Sequence, residues 1–122
     1  VLTEEQCATV FENVFRALRP GGAFVFFDFV HDFEQRLEIM EYSSSSPGGL
    51  RITQRPQSSV RLMATRAGFG EPAFHPFKMP FDLPRPSDPA DMTSYTTLSN
   101  GERHSFRGTL HQPWCHVVAR KR

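Results

Sequence analysis

The chain has 122 residues, 39% of them hydrophobic and 12% aromatic, with a formal net charge of +1. That composition excludes a disordered chain, which needs low hydrophobicity and high net charge, and the length suits one small domain spanning 1–122. No run of about 18 apolar residues exists, so no membrane span is expected, and the near-zero charge makes nucleic acid an unexpected partner despite the basic Arg120-Lys121-Arg122 tail.

The elements follow in chain order. Thr3-Glu4-Glu5-Gln6 predicts a helix start with a capping box, Thr3 as cap and Gln6 reaching back. Cys7, Val10, Phe11, Val14 and Leu18 continue one helical face. Pro20-Gly21-Gly22 ends that helix and turns the chain. Ala23 to Val30 is almost wholly apolar without alternation, which predicts a strand buried on both faces. Helix, glycine turn and buried strand form one unit of a layered α/β fold. His31 to Tyr42 is expected to be a weaker helix with Phe33, Leu37 and Met40 on its stripe, and Asp32 as its cap if His31 and Asp32 only start it. Ser43 to Gly49 is a flexible break, and Leu50 to Pro56 is expected to be irregular. Ser58 or Ser59 is placed as the cap of a second helix, Val60 to Ala67, closed by Gly68 with Phe69 packing back. Ala73 to Phe81 predicts a strand bulged or near an edge at Pro76, and the four prolines of Asp82 to Ala90 predict an extended loop. Asn100-Gly101 predicts a type I′ turn within a hairpin over 93–108, with Tyr95 opposite Phe106 and Thr97 opposite His104. Trp114 to Ala119 is a short closing strand.

Three segments in this order resemble a known family. Phe15-Arg16-Ala17-Leu18-Arg19-Pro20-Gly21-Gly22-Ala23-Phe24-Val25-Phe26 resembles the "LRPGG" turn of class I S-adenosylmethionine-dependent methyltransferases, which joins their fourth helix to their fifth strand. Val60 to Phe69 resembles the later "L..AGF" helix before the sixth strand, and Trp114 to Lys121 the closing seventh strand. The resemblance implies an α/β chain carrying part of a Rossmann-like methyltransferase fold, strands five, seven and six with flanking helices, plus the 93–108 hairpin as an insertion. It implies an enzyme, a transferase that moves a methyl group from S-adenosylmethionine to a small-molecule acceptor. The first residue, Val rather than Met, is read as belonging to a piece of a longer protein, its C-terminal half. The glycine-rich loop and the strand-ending acid that hold the cofactor in that family have no counterpart here, so no cofactor-binding residue is expected in these 122. A non-catalytic partner or binding module that completes or regulates a separate methyltransferase chain is the alternative.

Asp28, His31 and Asp32 lie at the carboxyl end of the 23–30 strand, where α/β enzymes place substrate, and are the expected substrate-binding residues. His31 is the candidate general base for a substrate hydroxyl or amine. His104, His111, Cys115 and His116 fit no zinc spacing, and Cys115 and His116 should face opposite ways, so no metal is expected. Met79 to Pro84, the hairpin and His111 to Trp114 could form a lid, or Phe77, Phe81, Tyr95, Phe106 and Trp114 a satellite core. Arg51, Arg55, Arg61 and Arg66 read as solvated or anchoring charges. Two cysteines are too few for a disulfide scaffold, so a cytoplasmic setting is expected. A strand as apolar as 23–30, without its family neighbour, is expected to be an exposed sheet edge and to self-associate.

Overall fold

The computed structural model describes residues 2–122. Its elements are α1 (Glu4–Ala17), β1 (Ala23–His31), β2 (Leu37–Ser43), β3 (Ser46–Pro56), α2 (Gln57–Ala67), β4 (Ala73–Pro76), β5 (Ser94–Ser99), β6 (Glu102–Arg107), β7 (Leu110–His111) and β8 (Trp114–Arg120). They form a five-stranded mixed sheet, ordered β2-β3-β1-β8-β4, and a three-stranded antiparallel sheet, β5-β6-β7. Neither helix is long and apolar enough to cross a membrane.

The chemistry at each helix end explains its bounds. The Thr3–Gln6 capping box opens α1, with Thr3 Oγ1 accepting from Gln6 N–H and Gln6 Oε1 from Thr3 N–H. Lys121 closes it: Nζ donates to the carbonyls of Phe15 and Leu18 at 2.7 and 2.8 Å and lies over the Phe15 ring. The Pro20-Gly21-Gly22 turn is tied to the same tail, since Gly21 N–H donates to Lys121 O and Lys121 N–H to Gly22 O. The start of α2 departs from expectation. Pro56 is its N-cap with no side-chain bond, and Ser58 Oγ instead donates to Glu34 Oε2. Its end is as expected: Gly68 has φ +104°, and a Cβ there would stand 2.8 Å from the Phe15 ring.

Both helices cover one face of the large sheet. Even-numbered side chains of β1 point there, so Phe24 and Phe26 meet Phe11 edge-on at 5.4 Å each. Phe11, Val60, Met63, Ala64, Phe69, Cys115 and Val117 belong to this core. The other face carries Val25 and Phe27, 57% and 43% exposed. The expected two-sided burial of 23–30 is therefore wrong. Continuous apolarity here reflects an aromatic cluster on the second face, where Phe27 stacks on Trp114 at 4.6 Å and contacts Phe77 and His116.

The order β1-β8-β4 places the closing strand antiparallel between the other two, with Phe26 opposite Val117 and Phe74 opposite Val117 on the other side. The hairpin has the expected register, Tyr95 to Phe106 and Ser99 to Glu102, and its turn has positive φ at both Asn100 (51°) and Gly101 (76°). β7 adds an unanticipated third strand.

Four further expectations fail. The helix over His31–Tyr42 and the irregular Leu50–Pro56 are instead the antiparallel pair β2-β3, with Leu37 opposite Gln54 and Ile39 opposite Ile52. Period 2 wins because Leu37, Ile39 and Glu41 turn inward while Glu38, Met40 and Tyr42 turn out, so Asp32 caps no helix. The serine run is the hairpin turn, and Gly49 (φ +90°) passes where a Cβ would lie 2.7 Å from Met40 Sδ. The 73–81 strand stops at Pro76, one final bond running from Phe77 N–H to Trp114 O. The expected edge at 23–30 is covered at its end: β3 pairs in parallel with β1 at Val30–Arg55 and His31–Pro56. β3 diverges before that point. Val30 N–H donates to Pro113 O and Lys121 N–H to Gly22 O, so even-numbered backbone groups of β1 face β8. Those of Ala23, Val25 and Phe27 face outward, and the outward Phe29 N–H is taken by Asp28 Oδ1 at 2.8 Å.

Candidate functional site

The expected substrate trio is split by strand geometry. Asp28 and His31 are three residues apart, and alternation sends them to opposite faces. Asp28 lines one cavity, of about 450 Å³, where β3 leaves β1. His31 and Asp32 line a second, of about 400 Å³, between the carboxyl end of β1 and the small sheet. Trp114 and Gln112 belong to both walls.

The first cavity is organised by Arg55, the last residue but one of β3. Its side chain is only 5% exposed. Nη1 donates to Asp28 Oδ2 at 2.8 Å, Nε to Glu4 Oε1 at 3.0 Å, and Nη2 to Cys7 Sγ at 3.2 Å and to the Leu2 carbonyl at 3.4 Å. One guanidinium thus ties the start of α1 to β1 and β3, the fork geometry that arginine provides and lysine does not. Of the four arginines read as solvated or anchoring, Arg55 is the buried anchor, whereas Arg51, Arg61 and Arg66 are exposed. Burial pushes the Asp28 carboxyl above its usual value, against the pull of the Phe29 N–H and Arg55. Burial also raises the Cys7 thiol, so Cys7 is a poor nucleophile.

The second cavity draws on both sheets. His31 is 6% exposed. Its Nδ1 lies 2.9 Å from the Phe33 carbonyl, which can only accept, so Nδ1 carries the proton in the neutral ring. The ring stacks on Phe33 at 3.5 Å. Its Nε2 is buried and has no hydrogen-bond partner among the described residues. Lys78, Arg103, His104 and His111 bring basic groups to the same wall, and Asp32 an acidic one. Burial lowers the His111 pKa first, reinforced by His104, Lys78 and His31. The small sheet is fixed to the β2-β3 pair by two ties: Gln54 Nε2 donates to His111 O at 2.6 Å, and Arg107 grips the buried Glu41 carboxylate at 2.9 to 3.0 Å.

The satellite core divides. Tyr95 stacks near Phe106, while Phe77 and Trp114 join Phe27 on the large sheet, and Phe81 is exposed. Cys115 is buried and His116 exposed, as alternation requires. Among the described residues, no group of three or more His, Cys, Asp or Glu could hold a metal ion. Sequence reasoning missed Arg55 and Lys78 as cavity residues, and reached Arg103, His104 and His111 only as parts of a possible lid, the two histidines also as unsuitable metal ligands. The usable signal was the hairpin itself, whose turn fixes which side chains of 102–107 share a face.

Comparison of the chain with family models, with curated proteins and with solved structures finds no match.

Proposed function

We propose that the chain is the C-terminal half of a class I methyltransferase, transferring a methyl group from S-adenosylmethionine to a small-molecule acceptor. The observation that supports this reading is the order β1-β8-β4 with β8 antiparallel to both neighbours; β1 and β8 lie in segments whose sequences carry the resemblance, and β4 follows the third. The described residues do not themselves fit the methyl donor. Gly21 and Gly22 stand at the amino end of β1, and their N–H groups are already taken by Lys121 O and Arg19 O. In this reading the chain contributes the acceptor side, at the carboxyl end of β1, with His31 Nε2 free to accept a proton from an acceptor hydroxyl or amine. A cytoplasmic setting goes with it, supported by two free thiols. The open flank of Ala23 to Phe27 favours a second reading, a non-catalytic partner whose sheet completes that of a separate chain.

The test is to express the chain joined to whatever coding sequence precedes Val1 and to assay transfer of tritiated methyl groups to a small-molecule extract. Incorporation that His31→Phe reduces supports the enzyme. Donor binding by the joined chain refutes the partner reading, and the absence of both binding and transfer refutes the enzyme.

A further inference from the structure

The cavity at His31 makes three separate demands of an occupant. The first is charge. Lys78, Arg103, His104 and His111 line it against one carboxylate, Asp32. Counter-ions exist but stand outside the lining: Glu102 lies 3.5 Å from Lys78 and Asp82 2.7 Å from Arg103, their side chains 63% and 79% exposed. Burial first, and then the same cationic surroundings, disfavour the imidazolium of His111. An anion would relieve that repulsion. The second demand is shape: Phe33, Phe77 and Trp114 supply flat apolar walls, and Pro76 and Pro113 continue them. The third is a hydrogen-bond donor. With Nδ1–H committed to the Phe33 carbonyl, the buried Nε2 lone pair of His31 has no partner, a condition that native structures normally relieve with a ligand, ion or water.

We propose that this cavity binds a hydroxylated aromatic carboxylate. Its carboxylate faces Lys78, His104 and His111, its ring lies against Phe77 and Trp114, and its hydroxyl donates to His31 Nε2. A volume of about 400 Å³ accommodates one substituted ring with room for solvent. The inference rests on the reading above only in making this ligand the methyl acceptor. Binding itself requires no methyl donor.

The experiment uses the 122-residue chain without donor, with 4-hydroxybenzoate as probe. Trp114 is the single tryptophan and lies on the walls of both cavities, so quenching reports a ligand in either and the His31→Phe comparison assigns it to this one. Saturable one-to-one quenching is expected. Benzoate, lacking the hydroxyl, and 4-hydroxybenzamide, lacking the charge, should each bind about tenfold more weakly, the usual loss for one good hydrogen bond or one screened charge contact. His31→Phe, checked for folding by circular dichroism, should bind 4-hydroxybenzoate and benzoate equally. Three results would overturn the inference: no saturation up to about 10 mM, equal binding of the amide, or a hydroxyl preference that survives His31→Phe. Absent binding with methylation intact in the joined chain refutes this inference alone. Binding here with no methylation in the joined chain refutes the methyltransferase reading alone.

Discussion

Replacing Arg55 with alanine removes the one group that joins α1, β1 and β3. Its side chain is 5% exposed and makes two ion pairs, to Glu4 at 3.0 Å and Asp28 at 2.8 Å. A hydrogen bond to a charged group contributes about 1.5–3 kcal/mol when buried. Both carboxylates, however, are about one-third exposed (33% and 38%) and recover water when the arginine leaves. Solvent screening therefore cuts each pair to about 1 kcal/mol or less. Lost packing of the arginine stem restores part of that, for a total near 2–3 kcal/mol. In a domain of this size about 4 °C of melting temperature goes with each kcal/mol, so a fall of about 8–12 °C is expected. Urea titration should show a lower midpoint at unchanged slope. The pH dependence is a second check. Burial raises Asp28 above the usual 3.8, so between that value and the raised one the folded chain holds more protons than the unfolded chain. Stability from this group is thus greatest in acid and falls as pH rises through the raised value. Arg55→Ala removes a pull that opposes the rise, so its deficit should shrink as pH falls toward 4. A change under about 0.5 kcal/mol, the range of ordinary surface substitutions, or a deficit that grows in acid, would refute the reasoning.

Other outcomes follow from the same structure. Phe11→Ala should cost about 3–5 kcal/mol in denaturant unfolding, because Phe11 is buried and meets Phe24, Phe26 and Phe69 edge-on. Lys121→Ala should cost about 1–2 kcal/mol by uncovering the last carbonyls of α1, whereas Lys121→Arg should restore part of it. His111 is held below 6.5, so the unfolded chain binds its proton first as pH drops. Stability should fall as pH decreases through about 6.5, and His111→Gln should flatten that part of the melting-temperature profile. The open backbone of Ala23 to Phe27, flanked by exposed Val25 and Phe27, should drive concentration-dependent association in light scattering, which Val25→Lys abolishes. A monomer at every concentration would count against it.

Local chemistry was legible where one short segment decides the outcome. The Thr3 capping box, the Gly68 stop and the Asn100-Gly101 turn each need only three or four residues, and all three stand as read. The β2-β3 hairpin was not legible because Phe33, Leu37 and Met40 satisfy a helical spacing as well as a strand pattern. Only pairing across the serine turn, which buries Ile52 and Glu41, separates the two. The carboxyl end of one strand groups Asp28 with His31, although a period of two puts residues three apart on opposite faces. Which of the four arginines is the anchor was not legible, because the partners of Arg55 come from 27, 48 and 51 residues away. The basic wall around His31 depends on how the small sheet docks on the large one, through Arg107–Glu41 and Gln54–His111, which no local pattern encodes.

The central claim is that these residues form the acceptor half of a methyltransferase whose donor site lies on other strands. Titration calorimetry with S-adenosylmethionine tests it most directly, on the 122-residue chain and on the chain joined to any coding sequence found before Val1. The account predicts no measurable heat from the first and a stoichiometric, saturable signal from the second. Saturable binding by the 122 residues alone, or none by the longer chain, would contradict it.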